Sequence, residues 1–214
     1  TSYILPEFEL KNTFDKYFDF IFQRESQNDF VNFTPYEIRN INSFLFQGQK
    51  ERAFKLLNFM LKYQRPANWN HWAEVVWRDS STPEFIGDMP HTWVGSDFIN
   101  AFRNMFLYED EIDSSFKLLM GFSESYLNHQ NYFELKNLQS VSGPLNMKIK
   151  KVNENQIDIE LNGELTLNGW KIYIYNPLDR PVKKVLVNGK ETNQFDNNRI
   201  EVTEFPAIIT IKGQ

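Results

Sequence analysis

The stretch NWNHWAEVVWRDSSTPEFIGDMPHTWVGSDF, residues 68–98, gathers four of the chain's five tryptophans, two of its three histidines and five acidic side chains. Glu74 lies among Trp72, Val75, Val76 and Trp77. A carboxylate in such surroundings, if buried, must be protonated or held by a polar partner. Asp88, His91 and Asp97 follow within a short turn and the next helix start, while Trp69, Trp72, Trp77 and Trp93 supply flat apolar faces. A carboxylate beside indoles is the ordinary composition of a sugar site. The indole stacks on the C–H face of a pyranose, and the carboxylate serves as acid, base or hydroxyl acceptor.

Each residue also has a structural role open to it. Tryptophans at a helix junction pack cores, and Glu74 alone would be a solvated glutamate. His91 would cap the helix beginning near Thr92 or bond a buried carbonyl. Asp97 in a first helical turn meets the positive end of the dipole. His71 and Glu74 are three residues apart, but no H-E-x-x-H is present, and further ligands would have to come from His91 and Asp88. No metal site and no cofactor are therefore expected. Neither a glycine-rich phosphate loop nor a Gly-x-Ser-x-Gly elbow occurs, which removes nucleotide binding and the serine-hydrolase arrangement.

Helices must position these groups. NTFDKYFDFIFQRES places Phe14, Tyr17, Phe18, Ile21 and Phe22 at helical spacing, with Asn12 or Thr13 as cap. TPYEIRNINSFLFQGQ opens with Thr34 as cap, Pro35 in the first helical position and Glu37 in the first turn, and Gly48 interrupts it. KERAFKLLNFMLKYQ repeats Ala53, Leu56, Leu57, Met60 and Leu61 and is stopped by Arg65 and Pro66. TWVGSDFINAFRNMFLYED carries Phe98, Phe102, Met105 and Phe106 on one stripe. Beyond residue 130 the period falls to two. MKIKKV, QIDIEL, KIYIYNP, VKKVLV, RIEVTE and AIITIKG are separated by Asn-, Asp- and Gly-rich turns, at the spacing of an antiparallel β-sandwich. KLLMGF, residues 117–122, is an earlier strand or a bridge, and SESYLNH is one helical turn. The expected fold is α+β in two parts: helical hairpins over 1–128 and an antiparallel β-sandwich over 129–214. The helices bear large aromatics on more than one face and so expect neighbours.

With 214 residues, 41% hydrophobic and 16% aromatic, the chain has ample material for a core. A net charge of −5 with scattered basic residues disfavours a nucleic-acid partner. Cysteine is absent, so disulfides and thiolate metal sites are excluded. No apolar run approaches the ~20 residues of a membrane span, so no membrane partner is expected. The sequence begins with Thr1 and shows no signal peptide. A processed start or an excised fragment is the expectation. A leader upstream would place the protein in a secreted, periplasmic or cell-surface setting.

QRPANWNHWAEV followed by FIGDMPHTWVGSDFI resembles the end of the catalytic domain of bacterial six-hairpin glycosidases, in a group near the α-L-rhamnosidases. The resemblance spans roughly residues 40–190 and is specific over 64–99. It implies an (α/α)6 barrel of which this chain holds the last third to half, followed by a small β domain. It implies inverting hydrolysis, with Glu74 as the late general base and the general acid in the missing part of the barrel. Trp69 and Trp93 would be platforms, Trp72 and Asp88 would line the same sugar cleft, and His91 would bond a hydroxyl or orient Glu74. The partner would be carbohydrate, together with the missing N-terminal part of the barrel, and the isolated chain would be inactive. Two other readings stand beside it. One is a non-catalytic carbohydrate-binding or interaction module using Trp170, Tyr173 and Tyr175. The other is a structural subunit that needs a partner chain.

Overall fold

The computed structural model describes residues 7–27, 30–65, 67–79, 81 and 89–214. These form two compact units, 1–104 and 105–214.

In the first unit, α1 spans Glu7–Arg24. It begins before the expected caps, and Thr13 donates its hydroxyl to the Glu9 carbonyl within the helix. Phe14 and Phe18 meet Phe44 edge-on, both at 5.7 Å. Thr34 is a cap as expected, its hydroxyl accepting from the Tyr36 N–H. The first turn is a 3-10 turn, Pro35–Arg39, that continues into α2, Asn40–Phe46. Gly48 ends this segment at φ +68°, a left-handed conformation that favours glycine. α3 spans Lys50–Lys62 and buries Ala53, Leu56, Phe59 and Met60. Phe59 takes the place expected of Leu61, which is 47% exposed, because Phe30, Phe33 and Tyr63 converge on its ring. β1, Asn32–Phe33, pairs antiparallel with β2, Val76–Trp77, with Phe33 opposite Val76. Arg24 is buried where these pieces meet. It is bonded twice to Glu37, at 2.8 and 2.9 Å, and lies 4.6–6.0 Å from the ring centres of Phe20, Phe30, Phe33 and Phe59.

α4 spans Thr92–Phe106. Val94, Ala101, Met105 and Phe106 are buried, Phe98 is half-buried and Phe102 is exposed, so the stripe read from the sequence holds at Met105 and Phe106 and fails at Phe102. The helix also stops four residues short of its expected end. The Met105 carbonyl accepts from Gly121 N–H at 2.8 Å and the Phe106 carbonyl from Leu119 N–H at 3.1 Å. Long-range backbone bonds thus take the acceptors of the last turn, and Leu107–Asp110 continues as a strand, β3.

The second unit holds two sheets. β3 pairs antiparallel with β4, Ser115–Leu118, which overlaps the expected KLLMGF segment only at Lys117 and Leu118. A 3-10 turn, Glu124–Leu127, follows as expected. Then come β5, Tyr132–Leu138, β6, Leu145–Asn153, β7, Gln156–Gly163, and β8, Lys171–Tyr175. The last four are β9, Val182–Val187, β10, Lys190–Thr192, β11, Arg199–Val202, and β12, Ala207–Gly213. The sheet orders are β10-β9-β12-β7-β6-β5 and β11-β8-β4-β3. The period of two is visible in the burial. Met147, Ile149, Ile157, Ile159, Leu161, Ile209 and Ile211 are buried in the larger sheet, and Phe116, Leu118, Ile172, Ile174, Ile200 and Val202 in the smaller. One pair departs from the antiparallel expectation: β4 and β8 run parallel, Phe116 opposite Ile172. Parallel neighbours need a long crossover, and about fifty residues lie between them, including three strands of the other sheet. The fold is α+β. Every α-helix described lies before residue 129, and the sheets are mostly antiparallel. No helix among the described residues is long and apolar enough to cross a membrane.

Candidate functional site

The site grows from the pairing of β1 with β2. In that register Thr34 follows Phe33 and Glu74 precedes Val76 by two, so the ends of the two strands bring them together. The Thr34 hydroxyl donates to the Glu74 carbonyl at 3.1 Å. The bend before β2 is held from other sides as well. The Gln64 side-chain amide donates to the Trp69 and His71 carbonyls, each at 3.2 Å, and the His91 N–H donates to the Trp72 carbonyl at 2.8 Å. The start of α4 is thereby fastened to the segment that carries Glu74.

Around this junction stand Tyr36, Glu74, His91 and Trp93. Glu74 Oε2 is 4.0 Å from His91 Nε2. Tyr36 Oη is 3.4 Å from the same nitrogen, and the two rings meet edge-on with centres 5.4 Å apart. The Trp93 ring lies 6.5 Å from each of them and is 69% exposed. Arg39 stacks its guanidinium on the Tyr36 ring, 4.5 Å from the centre, and donates from Nε to Asp97 at 2.6 Å. Asp97 is thus an ion-pair partner, and it lies in the second turn of α4 rather than the first, because the helix already begins at Thr92. Burial first, and then the Glu74 carboxylate, push the Tyr36 phenol above its ordinary value, with Arg39 opposing and Asp97 adding to the rise. Tyr36 is therefore a neutral phenol at physiological pH.

Of the residues singled out in the sequence, Glu74, His91 and Trp93 come together here. Trp72 is buried against Phe98, ring centres 5.5 Å apart, so it offers the site its carbonyl rather than a stacking face. Trp69 is 55% exposed and packs edge-on against His71 at 5.0 Å. Asp88 lies outside the described residues. In the second unit, Trp170 lies on buried Phe116 at 4.9 Å, and Arg199 covers the Tyr173 ring at 4.3 Å. Neither indole nor phenol is an open platform. Tyr36 and Arg39 escaped the sequence reading because TPYEIR carries a helix-start signal and nothing more. A pairing of NFT with EVVW would have exposed them. Among the described residues, no group of three His, Asp or Glu side chains could hold a metal ion.

No protein-family model and no curated protein matches this chain. Among solved structures, it is similar to a GH127 β-L-arabinofuranosidase from Geobacillus stearothermophilus T6, at a TM-score of 0.32 and 5% sequence identity. The match covers 58% of this chain and 19% of that one, so it spans about a fifth of that enzyme's length. A likeness this distant decides neither fold nor function.

Proposed function

We propose that the chain is a carbohydrate-active protein, the C-terminal portion of an inverting glycoside hydrolase of the six-hairpin type near the α-L-rhamnosidases. In this reading the helical part, 1–128, is the late portion of an α/α toroid, and 129–214 is a β-sandwich appended to it. Supporting it most directly is the meeting of the Glu74 carboxylate with His91 at 4.0 Å, beside a neutral phenol and the exposed indole of Trp93. Glu74 is the base that activates water, His91 orients it, and Trp93 and Trp69 are stacking faces. Asp88 is assigned to a sugar hydroxyl. Inversion needs a second carboxyl group about 6.5–9.5 Å from the base. Asp97 is committed to Arg39, so the acid is assigned to the remainder of the barrel, which is the partner this reading requires. A secreted, periplasmic or cell-surface location belongs to the same proposal.

That commitment of Asp97 also favours a second reading, a binding module with Glu74 as a hydroxyl acceptor and no hydrolysis. A panel of p-nitrophenyl glycosides, rhamnosides first, separates the two. It is assayed on this 214-residue chain, on a longer form that completes the barrel, and on the longer form carrying Glu74→Gln. The expected result is turnover by the longer form alone, abolished by Glu74→Gln, since a missing acid or base costs ~10²–10⁴-fold. Turnover by the 214 residues alone would place the acid within them. Full activity of the Glu74→Gln form would remove Glu74 from the mechanism. Binding without turnover in both forms would leave the module.

A further inference from the structure

His91 touches three different partners at once. Its Nδ1 lies 3.4 Å from the Val94 backbone N–H, across the first turn of α4. A backbone N–H only donates, so Nδ1 accepts and the ring proton of the neutral imidazole sits on Nε2. Nε2–H then faces Tyr36 Oη at 3.4 Å, with Glu74 farther off at 4.0 Å. The phenol oxygen is the acceptor of that bond, which leaves the phenol's own proton for another oxygen. No acceptor for it is found among the described residues. The Tyr36 ring is meanwhile fixed by Arg39 on one face and by the edges of His91 and Trp93.

We infer that Tyr36 is a ligand-binding residue of this site, its O–H aimed by the Val94, His91 and Tyr36 relay at an oxygen of the bound glycosyl unit. The inference rests on the sugar reading of the site and adds to it a donor opposite the Glu74 acceptor. A sugar hydroxyl is both donor and acceptor. A phenol that can only give its proton and a carboxylate that can only accept one would grip adjacent hydroxyls in one orientation. Tyr36 acts on ligand orientation, through the one hydrogen bond its O–H donates.

Two measurements test this. The first is the nitrogen-15 spectrum of His91 in the ligand-free chain at neutral pH. The relay requires a protonated Nε2 and a bare Nδ1, and a change in the Nε2 resonance on Tyr36→Phe. A proton on Nδ1, or an Nε2 resonance indifferent to Tyr36→Phe, overturns the relay whatever the site binds. The second is the dissociation constant of the tightest-binding p-nitrophenyl glycoside of the panel, by calorimetry, for the wild-type chain and Tyr36→Phe. The variant keeps the ring under Arg39 and should keep its melting temperature, while affinity falls about two- to tenfold, the worth of one neutral hydrogen bond. Unchanged affinity would overturn Tyr36 as a donor and leave the sugar reading standing. Failure of every glycoside to bind this chain and the longer form alike would overturn both.

Discussion

Replacing Arg24 by methionine should be among the most damaging single changes available in the first unit. The side chain is 7% exposed and its carboxylate partner, Glu37, 16% exposed. The variant keeps most of the aliphatic volume but removes both charge-assisted bonds at 2.8 and 2.9 Å, together with the cation that four phenylalanine rings surround. Breaking a buried pair from one side costs about 3–5 kcal/mol, because the remaining charge is stranded. Glu37 still receives the Tyr17 hydroxyl at 3.1 Å and has some access to water, which puts the expected loss near the lower end, about 3 kcal/mol. Removing both partners, Arg24→Met with Glu37→Met, strands nothing. It should recover much of that loss, leaving a penalty of roughly 1 kcal/mol. Urea unfolding followed by tryptophan fluorescence in a Trp170→Phe background measures this on the first unit alone, since the other four tryptophans lie within it. A single-variant loss under 1 kcal/mol, or a double variant as damaged as the sum of the singles, would refute the stranded-charge reasoning. The site should feel the change too, because Glu37 is the residue after Tyr36 in the same 3-10 turn.

Alkali should act through the buried phenols. Burial raises Tyr17, Tyr126 and Tyr175 above the ordinary value of 10.0, and the Glu37 carboxylate raises Tyr17 further. The folded state therefore holds protons that the unfolded chain releases. The stability this confers is whole below pH 10 and is lost as pH rises towards the folded values. Unfolding midpoints should fall above about pH 10, and Tyr17→Phe should flatten that slope; a midpoint constant to pH 11 would contradict it. In the second unit, an alanine at Gly121 would place Cβ 2.6 Å from Met105 Cβ and Cγ. Gly121→Ala should cost about 1–3 kcal/mol in thermal unfolding, and an unchanged melting temperature would show that Met105 moves aside freely.

The strands from β6 onward, short and exposed β10 excepted, were legible because their alternation coincides with burial on one side, as at Ile157, Ile159 and Leu161. The Thr34 cap was legible because its signal is local. What escaped depends on distant partners. LYED reads as the tail of a helix until SFKL pairs with it and the carbonyls of Met105 and Phe106 are claimed from residues 119–121. Phe59 outranks Leu61 only once Phe30 and Phe33 are beside it. In the site, Glu74, His91 and Trp93 were visible as a composition, and the burial of Trp72 was not, since an indole on a platform and an indole in a core look alike in a sequence. Tyr36 needed the β1 and β2 register, which rests on two residues a side.

The position of β12 has a consequence for how the second unit is made. This strand, Ala207–Gly213, lies inside the larger sheet, hydrogen-bonded to β7 on one side and β9 on the other. While residues 207–213 are still being synthesised, β7 and β9 each present an unpaired edge next to the alternating isoleucines and valines that the finished sheet buries. Such edges are where foreign strands add. The hairpins of β6 with β7 and β9 with β10 can form early, but they can only wait. Until β12 joins, the larger sheet carries two open inner edges at once, and a chaperone or a short interval before closure matters more here than for a sheet whose inner strands precede its rim strands in the chain.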